Sequence, residues 1–166
     1  MSAQAALEKI LPAYESYYTV IRNDVEKPFA AQAEFRSHSE KFVLVKSAKI
    51  ADIDSNEFVY FSTLEKADIF ILRKLASLAW ESGLKKVQPY NGHRNSDVTL
   101  IVVAESFSEE VYKLARKIKF SKNYMLGLYG WSNFRFAAVD LSQKKAVSNF
   151  QGRDIKKLFN KAGLLS

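Results

Sequence analysis

The densest group of polar side chains in the sequence is Asn91–Asp97, which reads Asn-Gly-His-Arg-Asn-Ser-Asp and directly precedes a long apolar run. Functional residues often lie on loops that a rigid scaffold holds in place. A histidine close to an aspartate can act as a general base or a metal ligand, so His93 and Asp97 are candidate catalytic residues. Glu105 follows the apolar run and is the third candidate. Asn-Gly and Ser-Asp are also common in turns, so a solvated loop without chemistry explains the same pattern.

A second group of side chains that could support catalysis lies on strand-like segments of the N-terminal half: Glu34, Glu40, Lys46 and Glu57. Two carboxylates and a lysine on adjacent strands can hold Mg²⁺ and activate water for phosphodiester cleavage. The order helix, three strands, helix, strand resembles the core of restriction-endonuclease-like folds, and that resemblance implies a nuclease-like hydrolase. The family carries Glu-x-Lys on one strand, whereas this sequence reads Glu57-Phe58-Val59. Charged residues that alternate along a strand are also typical of its solvent-exposed face.

A third group combines cations with aromatic residues in the C-terminal half. Single-stranded nucleic acid is bound by cations that pair with phosphates and by rings on which bases stack. The predicted binding residues are Arg94, Lys113, Arg116, Lys117, Lys119, Lys122 and Trp131. Trp131 follows Gly130 in a tight turn and could line a pocket. Phe134 and Phe136 alternate with Arg135, so we expect these two rings to point into the core.

The charge of the chain is unevenly distributed along its length. The net charge is +7, but residues 1–83 carry −2 and residues 84–166 carry +9. This asymmetry is compatible with a surface that meets nucleic acid or an acidic protein. It is equally compatible with a lysine-rich face that only keeps the protein in solution.

Several function classes are excluded or disfavoured by composition. The chain has no cysteine, which excludes disulfides, thiolate zinc sites, iron–sulfur clusters and a cysteine nucleophile. Two histidines, His38 and His93, are too few ligands to predict a metal site, and no motif indicates a cofactor. No leader sequence and no apolar run of membrane-spanning length is found, so we expect a soluble, cytoplasmic protein without a membrane partner.

The element that must position these groups is the apolar run Val98–Val103. A strand that is covered on both faces lacks the polar alternation of a strand with one wet face. The run therefore predicts a strand in the middle of a sheet. The helical patterns Leu64–Ser82 and Glu109–Lys119 could cover it above and below, the first starting at a Ser62–Glu65 capping box and ending at Gly83, the second capped by Ser108.

The other segments predict the remainder of an α+β domain. Residues 3–10 and 12–21 have helical spacing, with Pro12 at the first position of the second helix. Residues 29–36, 42–50 and 57–61 predict strands of an antiparallel meander, with turns at 37–39 and 52–56 and a loop at 88–96. Residues 133–141 and 145–149 predict a hairpin, and a last helix follows Gly152 and stops at Gly163. One domain with a mixed sheet, spanning residues 1–166, is the prediction.

No motif in the sequence identifies a reaction, so two functional hypotheses remain. The leading hypothesis is a non-enzymatic binding module whose basic C-terminal half contacts an acidic macromolecule, either nucleic acid or protein. The alternative is a small hydrolase or nuclease-like enzyme with its site at the ends of the central strand, around His93, Asp97 and Glu105. Neither pattern predicts an oligomeric state.

Overall fold

The fold is built on one mixed sheet with helices on both faces. The computed structural model describes residues 1–36, 54–89 and 93–166, and of Asp54, His93 and Arg94 it describes the backbone only. The helices in this part of the chain are α1 (Ala3–Ile10), α2 (Ile69–Lys86), α3 (Val111–Leu114) and α4 (Lys156–Lys161). The strands are β1 (Thr19–Ile21), β2 (Ala31–Arg36), β3 (Asp54–Ala67), β4 (His93–Phe107), β5 (Ser121–Asn123), β6 (Trp131–Asp140) and β7 (Lys145–Ser148).

The strand order is β1-β2-β3-β4-β6-β5, with β7 also paired to β6. β1, β2 and β3 form an antiparallel meander, and β3, β4 and β6 are parallel. β5 and β7 both run antiparallel to β6. This arrangement confirms the predicted α+β class with a mixed sheet.

The predicted central strand is confirmed by the burial of β4. Val98, Leu100 and Val102 are fully buried on one face of the sheet, and Ile101 and Val103 on the other. The helices cover these faces differently from the prediction, because α2 and α3 both pack on the Val98 face while α1 and α4 cover the other. The reason is handedness: the crossovers from β3 to β4 and from β4 to β6 advance in the same direction along the sheet, and right-handed crossovers then fall on one face.

The second helix begins and ends later than the sequence predicted. Residues 62–67, including the expected capping box, continue β3 and pair with residues 102–107 of β4. Asp68 is the true cap, since its Oδ1 accepts the Ile71 amide at 2.8 Å. Gly83 is buried inside the helix and does not end it. A Cβ at Gly83 would lie 2.5 Å from Val98 Cγ2, so this glycine permits close packing of α2 on β4.

The predicted helix over residues 12–21 is wrong. Pro12 lies in a single 3₁₀ turn, Leu11–Ala13, and residues 19–21 form β1 against β2. The Tyr14 ring packs edge-on against Phe61, with 5.2 Å between ring centroids. Because this ring packs against the sheet, the chain continues toward the edge of the sheet. Helical spacing in the sequence does not reveal such a contact.

The outcomes for the other predicted elements are mixed. β2 confirms the strand at 29–36, but it pairs directly with β3. The strand at 42–50 and the turn at 37–39 lie outside the described residues. Residues 54–56 belong to β3, and Asn95, Ser96 and Asp97 belong to β4, so the turn at 52–56 and the loop at 88–96 were predicted too long. The helix after Ser108 is one turn of α-helix followed by a 3₁₀ turn, without a side-chain cap.

The C-terminal elements follow the prediction. β6 and β7 form the expected hairpin. A 3₁₀ turn, Arg153–Ile155, leads into α4, which buries Phe159. Gly163 has a φ of +71°, the left-handed conformation expected of a glycine that ends a helix.

Candidate binding site

The outer edge of β6 is shared by two strands that do not meet. β5 pairs with residues 131–133 of β6, and β7 pairs with residues 137–140. Between them, on this outer side, no strand of the described residues lies beside residues 134–136, whose inner side pairs with β4. The backbone groups of these residues still need hydrogen-bond partners, because unpaired buried amides and carbonyls are costly.

The side chain of Asn149 takes the place of the missing strand. Its Oδ1 accepts the amides of Phe136 at 3.0 Å and Gly152 at 2.9 Å. Its Nδ2 donates to the carbonyls of Ile118 and Phe134, each at 2.9 Å. Asn149 is 2% exposed. One side chain therefore joins β6 to the two segments that pass beside it.

Gly152 lets the chain turn tightly around this joint. A Cβ at this position would lie 2.4 Å from the carbonyl oxygen of Phe136. That distance is far below van der Waals contact, and backbone atoms cannot move aside as a flexible side chain can. Asn149 and Gly152 thus fix how residues 149–152 leave the sheet.

An open cleft lies where the two segments separate from β6, and we refer to it as the sheet-edge cleft. Its volume is about 580 Å³, within the range of sites that hold small ligands. It is lined by Arg116, Lys119, Phe120, Ser121, Asn133, Phe134, Asn149, Phe150 and Gln151. Phe134 is fully buried, as predicted, while Phe150 is 72% exposed. The guanidinium of Arg153 lies 4.0 Å from the centroid of the Phe150 ring, so one face of this ring carries a cation.

The structure brings only some of the predicted binding residues to this cleft. Arg116 and Lys119 line it. Lys113, Lys117 and Lys122 are exposed on neighbouring segments, with Lys122 Nζ 5.5 Å from the ring centroid of Tyr124. Trp131 is 40% exposed at the start of β6 and is not among the lining residues, and the side chain of Arg94 is not described. Sequence reasoning missed Phe150, because an aromatic residue one position after a predicted strand gives no signal that its ring faces solvent.

A second polar cluster lies on the opposite face of β6, and we refer to it as the Arg135 network. All three guanidinium nitrogens of Arg135 donate: Nη1 to Glu57 at 2.6 Å, Nη2 to Asp154 at 2.7 Å, and Nε to the carbonyl of Gln151 at 3.3 Å. Glu57 also accepts the Thr99 hydroxyl at 2.5 Å and the Tyr18 hydroxyl. The network borders a cavity of about 270 Å³. An arginine on a strand covered on both faces requires acidic partners, and this requirement was the available sequence signal.

Electrostatics explain why these groups stay charged or neutral. Burial alone would lower the pKa of Arg135, but Glu57 and Asp154 outweigh burial and raise it. Burial alone would raise the pKa of Asp154, but the hydrogen bonds from Arg135 hold this pKa below its ordinary value. Burial, followed by the charge of Glu57, raises the pKa of the Tyr18 hydroxyl. Because the members of the Arg135 network hydrogen-bond to one another, we interpret the network as stabilising the fold.

Asp97, one of the three catalytic candidates, lies beside this network. It is paired in register with Glu57 on the neighbouring parallel strand. Burial, and next the Glu57 carboxylate, raise the pKa of Asp97. Its Oδ1 is buried without a hydrogen-bond partner in the described part of the chain. Asp97 is therefore a partly buried acid that disfavours its charged form.

The three catalytic candidates do not share a site. Asp97 and Glu105 are eight residues apart on β4, which corresponds to about 26 Å along the strand. Glu105 is exposed at the far end, where its Oε1 accepts the Ala3 amide of α1 at 3.3 Å. His93 pairs through its backbone with Asp54 at the end nearer Asp97. A small-molecule substrate cannot contact both ends.

The carboxylates of the nuclease-like hypothesis are also separated. Glu34 forms an ion pair with Lys86 of α2 at 2.6 Å, which places it on the Val98 face of the sheet. Glu57 lies on the opposite face with Tyr18. Glu40 and Lys46 are outside the described residues. Within the described ranges, no three acidic or histidine side chains are grouped so as to hold a metal ion.

Comparison with known proteins gives one match. A family described as a domain of unknown function (DUF8052) matches residues 2–161. No curated protein and no solved structure is significantly similar to the chain. None of the helices described here is both long enough and apolar enough to cross a lipid bilayer.

Proposed function

Because the chain belongs to the DUF8052 family, whose description names no activity, we propose its function from the site alone: it binds single-stranded nucleic acid in the sheet-edge cleft. The observation that carries this proposal is the exposed ring of Phe150 in a cleft that also presents Arg116 and Lys119. Exposed aromatic rings beside cations are the features that unpaired nucleotides require. In this proposal the protein is a binding module and not an enzyme.

Each part of the cleft matches one part of a nucleotide. Arg116 and Lys119 supply charge for phosphate, and the ring of Phe150 offers a face for a base. The amide side chains of Asn133 and Gln151 can hydrogen-bond to base edges. A duplex would hide its bases in the stack, so the exposed ring favours an unpaired strand. The short α3 is no candidate for a recognition helix in the major groove.

The charge around the cleft also favours a polyanion. Residues 111–139 contain six lysines and arginines and no acidic residue. Arg135 is neutralised by Glu57 and Asp154, which leaves five cations on the surface near the cleft. Such a surface attracts phosphate backbones over distances set by the salt concentration.

The test is fluorescence anisotropy with a labelled 12-nucleotide single strand and the matching duplex. We expect the single strand to bind more tightly, and its affinity to fall with salt, with a log–log slope of about −0.7 for each phosphate contacted. Replacing Phe150 by alanine should weaken binding by about 5- to 150-fold, the effect of losing one stacked base. Arg116→Glu with Lys119→Glu should reduce both the affinity and the salt slope.

Matched controls are available on α2, away from the cleft. Phe70 is 76% exposed, so Phe70→Ala removes an equally exposed ring, and Lys74→Glu reverses an exposed charge. Both controls should bind like the native protein. The proposal fails if no single strand binds at low salt, if the cleft variants bind like the controls, or if polyglutamate competes as well as the oligonucleotide. The last result would indicate an acidic protein as the partner.

A further inference from the structure

The loop between β5 and β6 exposes an unusual set of apolar side chains. Met125, Leu126 and Leu128 are 60%, 102% and 74% exposed, and we refer to these three residues as the apolar tip. None of them belongs to either core cluster. Exposed apolar side chains grouped on one feature commonly mark an interaction surface.

The loop is ordered by its own backbone hydrogen bonds. The Tyr124 amide donates to the Gly130 carbonyl at 3.0 Å, and the Tyr129 and Gly127 amides donate to the Tyr124 carbonyl at 3.1 and 2.9 Å. Met125 and Leu126 have φ values of +47° and +54°. This left-handed conformation is unfavourable for residues with such side chains. The fold therefore holds two large apolar residues in a strained conformation that directs them outward. Packing in the core does not offset this strain, because neither residue belongs to a core cluster.

Aromatic and cationic groups surround the base of the apolar tip. Trp131 is 40% exposed where the loop rejoins the sheet. The Tyr124 hydroxyl lies 2.9 Å from Ser132 Oγ, and Lys122 Nζ lies over the Tyr124 ring. Aliphatic side chains prefer the hydrocarbon of a bilayer, tryptophan and tyrosine prefer its interface, and lysine prefers anionic headgroups. The loop and the strand ends at its base present all three kinds of group.

We propose that the apolar tip inserts into the surface of an anionic lipid bilayer. Insertion of a loop requires no spanning helix, so it is compatible with the described helices, but it departs from the sequence-based expectation of no membrane partner. A second copy of the chain is a poorer occupant, because the cations of residues 111–122 would face their own copies. All three side chains of the apolar tip are largely exposed, which suits a deformable lipid surface.

The test is co-sedimentation with vesicles of phosphatidylcholine alone and of phosphatidylcholine with 30% phosphatidylserine. We expect binding to the anionic vesicles, with little binding to the neutral ones. Vesicles with brominated acyl chains should quench Trp131, whereas Trp80, which is partly buried on α2 and stacked on Phe120 at 5.7 Å between ring centroids, should keep its emission. Leu126→Asp should lower vesicle binding by at least about tenfold, the effect of withholding one leucine from hydrocarbon.

The Leu126→Asp variant should fold like the native protein. Leu126 is fully exposed, and aspartate tolerates its left-handed conformation better than leucine does. Phe70→Asp on α2 is the matched control and should bind vesicles like the native protein. No binding to anionic vesicles at low salt, unchanged binding by Leu126→Asp, or binding without quenching would each overturn insertion. Oligonucleotide binding by Leu126→Asp should be unchanged, so this result is independent of the cleft.

Discussion

Replacing Asn149 by alanine tests whether one side chain holds the edge of the sheet together. The substitution removes four hydrogen bonds at once. Two amides, those of Phe136 and Gly152, lose their acceptor, and the carbonyls of Ile118 and Phe134 lose a donor. Because Asn149 is 2% exposed, these groups are sheltered from bulk water in the native protein.

The expected loss of stability follows from these four groups. Each buried group left without a partner costs about 1–3 kcal/mol. A carbonyl retains a second lone pair, and the space left by the side chain can admit water from the cleft, so the sum is reduced. We expect a loss of about 3–5 kcal/mol in the free energy of unfolding, a large part of the total for a domain of this size. At about 2–4 °C per kcal/mol, the Tm should fall by roughly 10 °C.

The assay is urea denaturation followed by circular dichroism, with Tm measured in parallel. Asn160→Ala is the matched control, since Asn160 is exposed on α4 and alanine favours a helix there. Asn149→Asp is the second variant: it keeps one oxygen to accept both amides but turns its other carboxylate oxygen toward two carbonyls, so we expect a comparable loss. If Asn149→Ala lost less than about 1 kcal/mol, the side chain would not be the joint we describe.

Three further substitutions have signed expectations. Asp140 accepts hydrogen bonds from the Tyr112 hydroxyl and the amides of Phe107 and Ser142. Burial alone would raise the pKa of Asp140, but these hydrogen bonds hold it below the ordinary value. Asp140→Asn should therefore destabilise the protein at neutral pH, and the difference in stability should disappear as pH falls through the native pKa. Asp97→Asn should do the opposite, because the raised native pKa means that the neutral form is favoured: the variant should be more stable than the native protein at neutral pH and gain nothing below the ordinary pKa of aspartate. Melting curves at several pH values between 3 and 8 would measure both, and identical pH profiles would refute the reasoning. Gly83→Ala should cost about 1–3 kcal/mol by forcing a methyl group against Val98, and a Tm equal to that of the native protein would show that α2 can move away from β4.

The parts of the fold that depend on local pattern could be predicted from the sequence. The continuous apolar run of Val98–Val103 identified the central strand, because a strand covered on both faces has little choice of residue. The hairpin of β6 and β7 and the stop at Gly163 were also local. The extent of β3 was not local: residues 62–67 match a capping box, yet they form a strand since a long partner, β4, lies beside them. Tertiary pairing outweighed local propensity there.

The candidate site could be predicted only in part. Arg116 and Lys119 were chosen as cations, and they line the cleft. The cleft itself depends on a gap between β5 and β7, and sequence patterns do not show where two strands will share one edge. Asn149 looked like the polar end of a strand, and its four hydrogen bonds exist only once three distant segments meet. Residues that act through long-range geometry have no periodic signal.

The uneven charge of the sequence acquires a spatial meaning from the strand order. Strands follow each other across the sheet nearly in chain order, so the first half of the chain forms the β1 edge and the second half forms the β6 edge. The cations of residues 111–122, a segment without acidic residues, therefore lie toward the β6 edge. A polyanion would be steered to the β6 edge, where the cleft lies. The core, by contrast, consists of apolar side chains of the strands and helices and includes none of these surface cations. Charge reversal at Arg116 and Lys119 should thus alter association while leaving the unfolding transition unchanged, which separates the origin of binding from the origin of the fold.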